Sequence, residues 1–317
     1  MALRSEIRRR IVTSAPGRQL ISGSKKVYLP GFYGFSVYEV WRPFIQQLRK
    51  TSLTERAGGI SFNIVMAIPP MLIFAFTLIP LLPISKQFIQ ELFALIRDIV
   101  PGEKNNSVII NFLNDFLNSP RNGLLSFGLL LAIYFSSNAM MGILRAFDKN
   151  YPGFMRRNVF ERRMVALQLT LIVFVLITVC IGLLIAQSSV LHRLGIQSGF
   201  WHYILENFRW ILIFMLLFFI VSFIYRHGAA VTKRWPFFTP GAAFATSLMI
   251  IATALVSYWV NNFSNYNKLY GSISAIFILM SLIYANSLAV LMGFELNVTL
   301  SHLKQMKEES KKIITTP

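Results

Sequence analysis

The chain has 317 residues, 55% of them apolar and only 14% charged, with 28 phenylalanines, which excludes an ordinary soluble domain. Its net charge of +18 would suit a nucleic-acid binder unless the positive residues sort to one side of a membrane, so their distribution decides. A single cysteine, Cys180, excludes a disulfide framework or a cysteine-based metal site within one chain.

Residues 1–34 are basic, with Arg8-Arg9-Arg10 and Lys25-Lys26 as charge runs, and are read as a mobile N-terminal segment. The first twenty carry no apolar stretch with a small-residue cleavage site, so targeting falls to the first membrane helix. From 35 to 50 the apolar residues Val37, Val40, Trp41, Phe44, Ile45 and Leu48 recur at helical spacing. With Arg42, Arg49 and Lys50 beside them and Tyr28, Phe32, Tyr33 and Tyr38 nearby, this amphipathic helix is expected in the headgroup layer. Docking against another protein helix is the alternative, because the same stripe serves both.

Six apolar runs follow, at approximately 59–83, 123–147, 164–187, 208–225, 239–260 and 272–296. At 1.5 Å per helical residue each approaches or exceeds what about 30 Å of hydrocarbon requires. Lipid offers the backbone no partner, so such runs are helical. The expected fold is an all-α membrane protein: six transmembrane helices within a domain of residues 35–300, the interfacial helix, and a tail at 301–317. The fourth run, nearly free of polar atoms from Trp210 to Val221, is expected against lipid or a partner. Residues 84–122 are too long for a plain connection. Two amphipathic patterns there, Phe88 to Ile99 and Val108 to Phe116, flank Pro101-Gly102 and predict a short helical lid on the periplasmic face.

Lys and Arg number 11, 5, 3 and 4 in residues 1–58, 148–163, 226–238 and 297–317, against 4, 1 and 1 in 84–122, 188–207 and 261–271. This asymmetry predicts that both termini lie in the cytoplasm, and it accounts for most of the positive charge without nucleic acid.

Near the middle of these runs polar residues share one level: Asn63 and Pro69-Pro70 in the first, Ser136, Ser137 and Asn138 in the second, Ser247 and Thr253 in the fifth, Tyr284, Asn286 and Ser287 in the sixth. Two successive prolines remove backbone donors and predict a kinked or opened first helix near Ala67 to Met71. One reading is a polar cavity lined by helices one, two and six; the other is interhelical hydrogen bonding that holds the bundle together with no ligand. No charged residue is placed at that level. Arg145, Asp148 and Glu295 fall at the cytoplasmic ends of helices two and six, where an Arg145–Glu295 pair would act as a clasp or a gate. The bridge 261–272, rich in Asn, Ser and Tyr, reads as a headgroup or sugar contact or as an interfacial turn. His192, His202, His227 and His302 are scattered without metal-ligand spacing, no GxSxG or phosphate-binding glycine loop occurs, and neither a cofactor nor a metal is expected.

Pro240-Gly241-Ala242, Tyr266, Tyr270-Gly271-Ser272 and Gly293-Phe294-Glu295-Leu296-Asn297 resemble the closing signature of the YihY/BrkB family of bacterial inner-membrane proteins. Arg56-Ala57 through Pro69 and Gly123 through Tyr151 resemble its earlier blocks, so the similarity covers about residues 40–300. It implies a six-helix bundle in the bacterial cytoplasmic membrane. Members have carried a virulence-factor name and a ribonuclease name generally regarded as a misassignment, and neither defines an activity. Where asparagine is expected after helix two, this chain has Asp148; residues 1–27 and the lysine-rich tail from Lys304 lie outside the resemblance. Three functions follow as expectations: a transporter or lipid-handling protein, a non-transporting envelope scaffold, and a nuclease. The expected partners are membrane lipids and a second copy or an envelope protein.

Overall fold

The computed structural model describes residues 22–78, 110–111, 122–148, 153–193, 200–262 and 273–315, and among them every regular element is helical. The elements are α1 (Val37–Lys50), α2 (Leu53–Leu78), α3 (Asn122–Phe147), α4 (Val159–Arg193), α5 (Phe200–Phe223) continued by a π-helical turn (Ile224–Gly228), α6 (Pro240–Asn262) and α7 (Ile273–Thr315). Stretches of α3 to α7 are long and apolar enough to cross a membrane, five in all among the described residues. α2, at 26 residues, is long enough by length alone. The predicted lid at 84–122, apart from residues 110, 111 and 122, lies outside the described residues, as does most of the bridge 261–272.

Ser36 starts α1 with a capping box: its hydroxyl accepts from Glu39 N, and the Glu39 carboxylate accepts from Ser36 N at 2.8 Å. Part of the apolar stripe is turned to protein. Val40 and Phe44, each 1% exposed, pack with Phe32 against Leu296 and Leu300 of α7. These two residues of the stripe dock on protein, while Trp41, whose ring lies 5.5 Å from that of Phe44, is 51% exposed. Just before α1, Val27 O accepts from Val37 N and Tyr28 bridges Ser36, while residues 1–21 of the N-terminal segment lie outside the described residues. The Ser36 N–H, then its hydroxyl, hold the Glu39 carboxyl below its ordinary value. A lowered folded value means that the contribution is present above the ordinary carboxylate range and lost as pH falls through the lowered value. Ser36→Ala is expected to cost about 1 kcal/mol. Glu39→Gln should flatten the fall of melting temperature on acidification; an identical acid profile in that variant would count against the cap.

α2 runs unbroken through Pro69-Pro70, so the helix does not open there. Pro69 is exposed while Pro70 is buried.

The tightest packing joins α6 to α7. A Cβ on Gly241 would collide with the Gly293 carbonyl oxygen and one on Gly293 with the Gly241 carbonyl oxygen, so two helix backbones touch. In lipid, where Leu and acyl chains are equally apolar, such small-residue approach holds helices together better than bulk hydrophobicity does. The α6 N-terminus is capped from two sides. Thr239 Oγ1 accepts from Ala242 N at 3.2 Å, Asn297 Oδ1 accepts from Gly241 N at 2.9 Å, and Asn297 Nδ2 donates to Thr239 Oγ1 at 3.0 Å. Pro240, at the first helical position, has no N–H to satisfy. Next to this crossing Phe294 stacks on Phe147 at 4.0 Å, with Tyr225, Trp235 and Phe154 against its edges. The π-turn lays Ile224, Tyr225 and Gly228 on the buried side, and Tyr225 donates to Val290 O at 2.6 Å.

α7 does not stop at 300. It continues as one helix of 43 residues, about 65 Å long, past the predicted boundary of the tail. Lys304 stands 4.4 Å over the Tyr33 ring and Lys307 donates to Tyr33 O.

Candidate polar site in the helix bundle

The starts of α2, α4 and α6, the ends of α3 and of the π-turn, and Glu295 within α7 meet at one end of the bundle, called here the basic end. Successive helices therefore alternate in direction. Counting from that end, Ser61, Ser137 and Ser287 each lie eight to ten residues inside their helices, about 12–15 Å deep. Of the residues predicted to share one level, Ser287 meets Ser61, which the sequence reading did not single out: their hydroxyls lie 3.3 Å apart while donating to Ile283 O and Ala57 O.

The other residues pair off locally and do not converge. Asn63 donates to Gly59 O and packs on Gly142 of α3. Asn286 donates to Leu282 O at 3.0 Å and faces Thr253 of α6 at 3.4 Å. Tyr284 lies half-buried against the core, and Ser136 is half-buried beside Ser137. Two polar atoms in this set have no hydrogen-bond partner among the described residues: Ser137 Oγ, in a fully buried residue, and Asn286 Oδ1.

The level also carries a charge that the sequence reading did not place there. Arg163, one turn into α4, donates from Nη1 to Asn138 Oδ1 at 2.5 Å and lies 4.9 Å over the Tyr134 ring. Its long side chain carries a cation from the helix start down to the depth of Asn138. Arg163 immediately before the apolar run at 164–187, with Tyr134 and Asn138 four residues apart on the preceding one, was the available signal.

At the basic end the clasp has different members from those expected. Glu295, 0% exposed, accepts from Gln47 Nε2 at 3.3 Å and has Arg56 Nη1 at 3.7 Å from Oε1. Arg56 also donates to Ala146 O at 3.1 Å. Arg56, at the start of α2, thus takes the place predicted for Arg145, which is exposed. Asp148 pairs with Arg162 at 2.7 Å. Arg157 donates to the carbonyls of His227, Gly228 and Ala229 at the end of the π-turn, a cation on a helix C-terminus. Burial lowers its pKa, opposed by Asp148.

Among the described residues no group of three or more His, Cys, Asp or Glu stands together. Several lipid-length apolar helices alternating through one bundle define a multi-pass α-helical membrane protein. The chain belongs to the BrkB virulence-factor family, whose profile matches residues 44–313. The match extends the earlier resemblance past Lys304, over most of the lysine-rich tail. A Bacillus subtilis strain 168 protein named ribonuclease-like YfkH is 28% identical over 80% of this chain and 92% of its own length. UPF0761 membrane proteins of Xanthomonas axonopodis pv. citri and Xanthomonas campestris pv. campestris strain B100 are each 24% identical over 85% of this chain, which spans only 62% and 61% of them. No solved structure matches.

Proposed function

We propose that this protein moves a polar solute or a lipid headgroup across a bacterial cytoplasmic membrane, with six spans, the basic end in the cytoplasm and both termini there. The supporting observation is a pair of buried atoms, Ser137 Oγ and Asn286 Oδ1, that have no partner among the described residues, at the level of the Ser61–Ser287 contact. A buried polar atom left unpaired costs about 1–3 kcal/mol, which a fold maintained only by interhelical hydrogen bonds has no reason to retain. In this reading those atoms, with Asn138, Tyr284 and the exposed ring of Pro69, offer contacts to a passing polar group.

The experiment is transbilayer exchange of a fluorescent phospholipid in proteoliposomes, with a small-solute efflux arm. Wild-type protein is expected to accelerate one of the two. Combining Asn286→Leu with Ser137→Ala should cut that rate about tenfold while insertion and elution are unchanged. An undiminished rate in the folded double variant removes the site.

A scaffold reading has one observation in its favour: a cleft of about 180 Å³ at the basic end, lined by Lys233, Arg234, Ser301, Lys304 and Gln305 among others. Such a lining suits an acidic segment of a partner. Unchanged flux in the double variant, with a partner lost on Lys233→Glu, would favour it.

A further inference from the structure

We propose that Arg163, Asn138 and Tyr134 bind the phosphate of an anionic phospholipid that enters sideways between α3 and α4. The inference deepens the lipid-handling reading above and rests on it in taking Asn138 as part of the working surface.

Arg163 differs from its neighbours in what answers its charge. Arg162 has Asp148 at 2.7 Å, Arg56 has Glu295, and Arg157 has three carbonyls. Arg163 has one amide oxygen and the face of a phenol ring, and among the described residues no carboxylate forms an ion pair with it. A cation inside the hydrocarbon boundary is expensive and normally finds a counter-charge. Val159 and Phe160, each 75% exposed, stand on the outward side of Arg163, so apolar surface begins before the arginine is reached.

The donors left over suit a phosphate. With Nη1 on Asn138, the guanidinium retains further N–H groups in a fixed plane, the geometry that grips two oxygens of one phosphate. Since Asn138 Oδ1 accepts from arginine, its amide nitrogen is a donor beside that plane. The tyrosine ring holds the cation by its π face and leaves its hydroxyl as another donor.

The surroundings select a lipid as the source of the phosphate. Below Asn138 on α3, Tyr134, Leu130 and Phe127 follow at three- and four-residue intervals, all exposed; on α4, Leu171 and Phe174, eight and eleven residues beyond Arg163, are exposed as well. Both stripes run from the phosphate site away from the basic end, the direction acyl chains take from a headgroup seated there.

The test titrates full-length protein in phosphatidylcholine nanodiscs with phosphatidylglycerol and counts retained lipid by native mass spectrometry. Wild type is expected to retain phosphatidylglycerol in preference to phosphatidylcholine. Arg163→Gln should weaken that retention about tenfold, and Tyr134→Leu about twofold to fivefold. Lys26→Gln, exposed and outside both candidate sites, should leave it unchanged. Full retention in a folded Arg163→Gln protein, or no preference in wild type, overturns the site. Where that variant does not fold, undiminished retention in both Arg163→Lys and Tyr134→Leu overturns it equally. Displacement of the lipid by millimolar inorganic phosphate would assign the site to free phosphate and overturn the lipid assignment. Binding is read at equilibrium with no movement required, so a wild type that retains phosphatidylglycerol but moves nothing keeps this site and removes the transport reading.

Discussion

Gly293→Val is expected to leave almost no monodisperse protein after detergent extraction, with a loss above about 3 kcal/mol, and Gly241→Val to behave alike. Any Cβ at Gly293 would press on the Gly241 carbonyl and come within 2.6 Å of both the Ala245 methyl and the Tyr225 hydroxyl. None of these yields easily. The carbonyl is backbone, and the hydroxyl is fixed on Val290 O at 2.6 Å. A Cβ at Gly241 would also lie 2.5 Å from the Asn297 side-chain amide, which caps α6, so the same change displaces the cap. Gly59 is the control: nothing lies within 4 Å of a Cβ there, and Gly59→Ala should be neutral or raise stability by up to about 1 kcal/mol. Size-exclusion profiles and melting temperatures of the three variants decide the matter. A well-folded Gly293→Val would mean that α6 and α7 do not cross where described.

The second large effect is expected from Arg56→Met. Glu295 is wholly buried while Arg56 is 27% exposed, so removing the arginine leaves a carboxylate in the interior without the cation that faces its Oε1. Breaking a fully buried pair costs about 3–5 kcal/mol. With one partner reached by solvent, about 2–3 kcal/mol is the expectation. Arg56→Met combined with Glu295→Gln should recover most of the loss, because no charge then remains to be desolvated. If the double variant is as unstable as the single one, the charge of Glu295 is not the reason.

What the sequence made legible was what repeats along a helix. The apolar runs locate α3 to α7 to within a few residues at most ends, and Pro240-Gly241 marks the start of α6 because proline is suited to the first helical position. The destination of a stripe was not legible. Val40 and Phe44 meet Leu296 and Leu300, but the same four-residue spacing would have served a headgroup layer equally well. Distance also defeated the charged residues: Arg145 and Arg56 sit at the same end, and only the packing of α2 against α7 brings the second to Glu295. Arg163 was assigned to a loop by its neighbours in sequence, whereas a side chain of that length reaches two turns into the bundle. The Pro69-Pro70 pair predicted a kink or an opening, and the helix continues through it without opening.

The continuity of α7 has a mechanical consequence. A single helix of 43 residues passes the Gly241–Gly293 contact and carries on to the bed of α1 and Tyr33. One half of such a rod cannot tilt without swinging the other, so the glycine contact serves as a fulcrum. A rearrangement among the lipid-facing helices would be delivered at the far end as a displacement of Lys304 and Lys307, where a soluble molecule can sense it.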